Sequence, residues 1–142
     1  MALDVGEARV GVAVSDALGL SAQPTATIRR VGLARDVKAV ADLVRQHEVT
    51  LIVVGLPLKL DGEAGPAVAS ILRFVERLKG AVSIPVVTFD ERFSTVQAER
   101  ALLEGNVSRR RRREAVDRVA AAIILQAYLD SRRATAPLEV EP

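Results

Sequence analysis

The sequence predicts an α/β domain with a mixed sheet flanked by helices, and three observations carry that prediction. Residues 1–28 hold three short, β-branched segments joined by turns, which makes the first three strands antiparallel neighbours. Leu51-Ile-Val-Val54 is an unbroken apolar run, the mark of a strand covered on both faces as in a parallel sheet. The later segments alternate strand and helix, the order of an α/β fold. With 142 residues the chain is long enough for one domain that buries about two thirds of its unfolded surface without disulfides.

Taken in order, the first hairpin places Asp4 between Leu3 and Val5, turns at Gly6, where glycine allows positive φ, and returns through Val10, Val12 and Val14. Thr25 to Ile28, after Pro24, reads as the third strand. Val37, Val40, Ala41 and Val44 recur at helical spacing, predicting a helix over 33–46, and residues 51–54 form the fourth strand, ended by Gly55-Leu-Pro57. A polar loop with Lys59, Asp61 and Glu63 follows. Pro66 opens a helix whose stripe is Val68, Ile71, Leu72, Val75 and Leu78, with Gly80 as its stop. Ile84 to Phe89 is the last strand and runs into Asp90-Glu91-Arg92. Ser94-Thr-Val-Gln97 has the form of a capping box and starts a helix to about Glu104, with Gly105-Asn106 as its exit. A final helix spans about 110–130. The domain is expected to occupy residues 1–133, and residues 134–142, with two prolines and no periodicity, a flexible tail.

Composition excludes whole classes of chemistry. There is no cysteine and one histidine, His47, so thiol catalysis, disulfide scaffolds and Cys/His zinc sites are absent, and a bound metal would be a hard ion on oxygen ligands. No apolar run reaches signal or membrane length, and a cytoplasmic protein without membrane contact is expected. Net charge is only +2, but Arg109, Arg110, Arg111, Arg112 and Arg113 are consecutive, a cluster suited to phosphate. Aromatic residues make up 3% of the chain, too few for a base-stacking platform, so contacts to nucleic acid would be made to the backbone.

A carboxylate among Leu and Val neighbours on a central strand needs a cationic partner, which directs attention to the other acids. Asp90 and Glu91 end a parallel strand, where α/β domains place their sites, and as adjacent residues they point to opposite faces. Asp117 is the acid on the apolar face of the final helix, near Ala120 and Ala121, whose small side chains allow close approach to the sheet. Gathered together, such acids bind two Mg²⁺ or Mn²⁺ ions roughly 4 Å apart, the arrangement for in-line displacement at phosphodiesters. Each acid alone has a plainer reading: Asp4 as a turn residue, Asp90 in a surface pair with Arg92, and Asp117 paired with Arg113 one turn earlier. Five arginines at a helix start oppose the helix dipole and call for an anion.

These segments together resemble the YqgF/RuvX family: Leu-Asp4-Val-Gly6 with Arg9-Val-Gly11-Val-Ala-Val-Ser15-Asp16, Val54-Gly-Leu-Pro57, Asp90-Glu-Arg-Phe-Ser-Thr95, and the basic stretch into Val116-Asp117-Arg-Val-Ala-Ala121. The likeness runs in order through about Asp130. It implies a ribonuclease H-like fold, a five-stranded mixed sheet in the order 3-2-1-4-5, and a metal-dependent nuclease that matures the 5′ end of precursor 16S ribosomal RNA. The implied catalytic residues are Asp4, Asp90, Glu91 and Asp117, with Asp4, Glu91 and Asp117 favoured as ligands of Mg²⁺ or Mn²⁺. Arg9, Arg92, Thr95 and Arg109 to Arg113 are the implied contacts to nucleic acid. Members of the family carry a few residues before the Leu-Asp-x-Gly segment, so a short first strand is expected here.

Three other readings compete. A resolvase of branched DNA requires two sites facing opposite strands and therefore a symmetric homodimer, so monomer and homodimer both stay open at the level of the sequence. A non-catalytic RNA-binding assembly factor would keep the fold and basic helix, and the intact acid set argues against it. A phosphotransferase with an Asp-x-Gly hairpin needs a second domain to enclose nucleotide, for which this chain is too short.

Overall fold

A computed structural model describes residues 1–57, 65–91 and 109–135, with side chains in the last segment described from 114 to 133. Arg92, Thr95, the loop at 58–64, the helix expected from Ser94 and residues 136–142 lie outside the described residues. Three antiparallel strands come first, β1 (Ala2–Val5), β2 (Arg9–Ser15) and β3 (Ala22–Arg29). They are followed by α1 (Leu33–Gln46), β4 (Ile52–Leu56), α2 (Pro66–Ala81), β5 (Val86–Asp90) and a long α3 (Arg109–Thr135). The sheet is mixed, in the order β3-β2-β1-β4-β5, with β1, β4 and β5 parallel.

The period-2 alternation of the strands sorts the core into two layers. Leu3, Val5, Val10, Val12 and Val54 face α1 and α2, where Phe74 and Leu78 are fully buried. Ala2, Ala13 and Val53 face α3 and meet Ala120, Ala121, Ile124 and Leu125. The small residues on this second side bring α3 close to the strands. Thr27 Oγ1 also donates to the Glu114 carbonyl at 2.8 Å, seating the start of α3 over β3.

Beneath the first layer lies a buried ion pair. Asp36, 1% exposed, accepts from Arg30 Nε at 3.2 Å and from the Val31 N–H at 2.9 Å. The same guanidinium donates from Nη1 to the Gly6 carbonyl at 2.9 Å and lies 5.5 Å from the centre of the Phe74 ring. Arg30 thus ties the turn after Asp4 to α1 and α2.

Helix α1 has the boundaries its spacing predicts. Elsewhere the boundaries differ for identifiable reasons. Gly6 does not adopt positive φ; its N–H donates to the Arg9 carbonyl at 2.9 Å, and a Cβ there would stand 3.0 Å from that oxygen, so close approach is what favours glycine. Strand β3 begins before Pro24, which an edge strand tolerates, beside a register shift at Val12/Ala13. Strand β4 continues through Gly55 to Leu56 because each residue pairs with β5. Gly80 does not stop α2, which closes at Ala81, and Leu72 is 42% exposed while Phe74 takes the core position. Helix α3 extends to Thr135, two residues into the segment expected to be tail.

Candidate active site

The carboxyl ends of β1, β4 and β5 meet at one edge of the sheet, and a cleft of about 480 Å³ opens there. Its lining includes Asp4 from β1, Glu91 from just past β5 and Asp117 from α3, together with Gly6, Arg9 and Pro57. Acids from three separate elements therefore share one cleft.

Asp4 follows Ala2 by two residues and so points to the α3 side, half-buried and directly opposite Gly11 of β2. Gly11 is the position that lets the helix in. A Cβ there would lie 1.9 Å from the Asp117 carbonyl oxygen and 2.4 Å from its carbonyl carbon, so the helix backbone rests on the bare glycine. That contact sets Asp117 beside Asp4. On the other flank, Gly55 leaves a hollow for Glu91, whose Oε1 would stand 2.6 Å from a Cβ at position 55. Glu91 is 8% exposed, packed on the α3 side near Ile124. Asp90 ends β5 one residue earlier, does not line the cleft, and by strand alternation faces the α1 and α2 layer.

Asp117 is held by Arg9, whose Nε donates to Oδ2 at 2.5 Å; the side chains are 28% and 18% exposed. The sequence gives no local signal for this pair, because its members are 108 residues apart. Directly opposite Arg9 in the β2–β3 ladder is Arg29, exposed on the edge strand and on the same face of the sheet. The arginines at 109–113 form the first turns of α3, the helix that carries Asp117.

The donor set suits a hard divalent cation: the carboxylates of Asp4, Glu91 and Asp117, with Glu7 also on the cleft wall, no histidine and no thiol, and Glu91 cradled by the absent side chain of Gly55. Among the described residues no three acids stand close enough to hold a metal ion as they are, and Asp117 is committed to Arg9.

A larger hollow of about 750 Å³ lies at the opposite end of the sheet and includes Asp16, His47 and Tyr128. Asp16 there is already used. Asp16 accepts from the Leu20 N–H at 2.8 Å, the Ser21 N–H at 3.3 Å and the Ser21 hydroxyl at 3.2 Å, contacts that hold its pKa below the ordinary aspartate value. His47 is exposed and caps α1. No helix among the described residues is long and apolar enough to cross a membrane.

With this geometry in view, the profile of a family described as RuvX, Holliday junction resolvase, matches residues 1–131. A Myxococcus xanthus protein named "Putative pre-16S rRNA nuclease" is 50% identical over 133 residues, covering 94% of this chain and 88% of its own length. A Moorella thermoacetica protein of the same name is 51% identical over 130 residues, covering 92% and 93%. Among solved structures, T. thermophilus RuvC in complex with a Holliday junction substrate aligns with a TM-score of 0.61 at 15% identity over 94% of each chain. That last likeness is one of fold.

Proposed function

The chain belongs to the RuvX family, and on that premise we propose that it is a metal-dependent nuclease acting in 5′-end maturation of precursor 16S ribosomal RNA. The observation that carries the proposal is the convergence of Asp4, Glu91 and Asp117, from three elements, on a single cleft at the carboxyl ends of the parallel strands. Asp4, Glu91 and Asp117 would hold Mg²⁺ or Mn²⁺. When bound, a pair of such ions supplies an activated water and stabilises the leaving oxygen of a phosphodiester.

The remaining residues have roles that follow from this reading. Gly11 and Gly55 fix the positions from which Asp117 and Glu91 reach the cleft. Val5, Ile71 and Val116 form apolar wall, lowering the local dielectric around the reacting phosphate. Arg9, Arg92, Thr95 and Arg109 to Arg113 contact backbone phosphates and position the strand. Asp90, one residue from Glu91, is the last residue of β5 in register with β4, opposite Leu56. The proposed setting is the cytoplasm.

The test is cleavage of a labelled 5′ segment of precursor ribosomal RNA beside a four-way DNA junction, each with Mn²⁺ or EDTA, using wild type and Asp117→Asn. RNA cut only by metal-loaded wild type is the expected result. Symmetric nicking of the junction would replace it with the resolvase reading, which the family description favours. Binding of either without cleavage would leave an assembly factor. Replacing Arg110, Arg111 and Arg112 by alanine is expected to weaken binding and flatten its salt dependence, since each phosphate contact on a duplex contributes a slope of about −0.9. An unchanged slope would remove the arginine run from the interface.

A further inference from the structure

We propose that Arg9 is an exchangeable counter-ion: it covers Asp117 in the free protein and hands it to the divalent cation when a substrate phosphate takes up the Arg9 and Arg29 guanidinium groups. The inference rests on the cleft being a metal-dependent nuclease site.

Four observations support the exchange. Asp117 is engaged by Arg9 at 2.5 Å, and among the described residues no three acids are placed to hold a cation in this state. The backbone that carries Asp117 is fixed, because it is seated on Gly11 with no room for even a methyl group, and the side chain beyond it is short. Arg9, by contrast, is a long side chain, 28% exposed, that starts the strand and lines the cleft mouth. The freedom in the pair is therefore on the arginine.

The fourth observation supplies the reason for Arg9 to leave. Arg29 is its direct cross-strand partner and makes no ion pair among the described residues. Like charges opposite each other on neighbouring strands repel, and in the free protein Asp117 offsets that repulsion on one side only. A phosphate oxygen pair between the two guanidiniums offsets it on both, by accepting charge-assisted hydrogen bonds from the planar donor fork of each arginine. The charges then redistribute without any group left uncompensated. Before binding, Asp117 neutralises Arg9; afterwards the phosphate neutralises Arg9 and Arg29, and Asp117 faces a cation. Metal and phosphate consequently raise each other's affinity, by the same factor in both directions. A free protein with Arg9 in place holds its metal weakly, so the full site forms on the substrate.

The exchange is read from Mn²⁺ affinity, independent of cleavage. Mn²⁺ is titrated into wild type, Arg9→Gln, Arg29→Gln, Asp117→Asn and the Arg9→Gln/Asp117→Asn double variant, followed by the electron paramagnetic resonance of free Mn²⁺. Each is measured in chloride and in sulfate of equal ionic strength, sulfate being the tetrahedral stand-in for phosphate. Arg9→Gln is expected to bind Mn²⁺ about tenfold tighter than wild type in chloride, within the usual range of coupling between sites. That gain disappears when Asp117 is already asparagine, and Arg29→Gln shows a smaller gain. Sulfate tightens Mn²⁺ binding to wild type and not to Arg9→Gln.

Equal Mn²⁺ affinity of wild type and Arg9→Gln, with Asp4→Asn still lowering it, would overturn the exchange and leave the metal site standing. A gain from Arg9→Gln that persists in the Asp117→Asn background would overturn it as well, by reducing Arg9 to a general positive charge. Failure of both wild type and Arg9→Gln to bind Mn²⁺ at millimolar concentration would remove the metal site and the exchange with it. Thermal melting verifies that each variant is folded. Arg9→Lys, which keeps the charge on a contact without the fork, is a second variant with an expected affinity between the two.

Discussion

Replacing Gly11 by alanine tests how α3 is seated on the sheet and, through that seat, how Asp117 reaches Asp4. The added Cβ would stand 1.9 Å from the Asp117 carbonyl oxygen, and real Cβ contacts essentially never fall below 3.0 Å, so helix and strand must separate by at least 1.1 Å. The clash is with backbone, which no rotamer change relieves. Two consequences follow from one displacement. Overpacking of a well-filled layer costs about 1–3 kcal/mol, and a rigid backbone contact belongs at the upper end, about 3 kcal/mol. For a domain of this size each kcal/mol lowers Tm by roughly 3–4 °C, giving a fall of about 10 °C. The second consequence is chemical: an ångström of misplacement at a reacting centre costs about 10²-fold in rate. Thermal and urea unfolding followed by far-UV circular dichroism measure the first, and RNA cleavage with Mn²⁺ the second. The matched control is Gly80→Ala in α2, where a Cβ meets nothing within 4 Å and φ is not positive. That change is expected to stabilise by about 0.5–1 kcal/mol, the helix propensity difference between glycine and alanine. A Gly11→Ala protein with wild-type Tm and wild-type cleavage would refute the close seating of α3 and the placement of Asp117 derived from it.

Two further substitutions separate site from scaffold. Gly55→Ala directs a methyl group at Glu91 Oε1 and at the fully buried Ile124 Cδ1, 2.6 and 2.7 Å away, so carboxylate and core are both displaced; Mn²⁺ affinity should fall about 10-fold or more and Tm should drop with it, and an unchanged Mn²⁺ affinity would place Glu91 outside the metal site. Asp36→Ala removes the partner of a largely buried Arg30 and an acceptor of the Val31 N–H, and urea unfolding should show a loss of about 3–5 kcal/mol. A loss below about 1 kcal/mol would mean that solvent reaches Arg30 and replaces the pair.

The fold was legible because its signals are periodic. In α1 the apolar residues Val37, Val40, Ala41 and Val44 recur without competition, and its ends coincide with the predicted ones. In α2 the stripe was drawn through Leu72, yet Phe74 completes the face defined by Ile71, Val75 and Leu78, since residue 72 lies about 100° around the helix from residue 71. Gly80 misled because a glycine ends a helix only where the chain turns left-handed, and here it stays helical. Of the site, Asp4 and Asp117 could be placed on one side of the sheet from their alanine neighbours. The division between Asp90 and Glu91 could not be read, because Glu91 sits just beyond the last paired residue of β5, where alternation no longer constrains it. The Arg9–Asp117 pair was equally hidden, a contact between distant residues that leaves no pattern in either segment. Gly11 did leave a trace: a glycine inside a β-branched run signals that something approaches closely, and the approaching group is the backbone of Asp117.

The acids proposed to hold metal are distributed along the chain at positions 4, 91 and 117, and the last of them lies on α3. A growing chain emerges N-terminus first at about 5–20 residues per second, and its domain completes only when the closing element docks. Until α3 settles on Gly11, the first strand presents Asp4 without the helix acid Asp117 that shares its cleft. No N-terminal fragment that stops before α3 contains the assembled cleft. The cleft is thus completed only after residue 117 and its helix have left the ribosome and docked on Gly11.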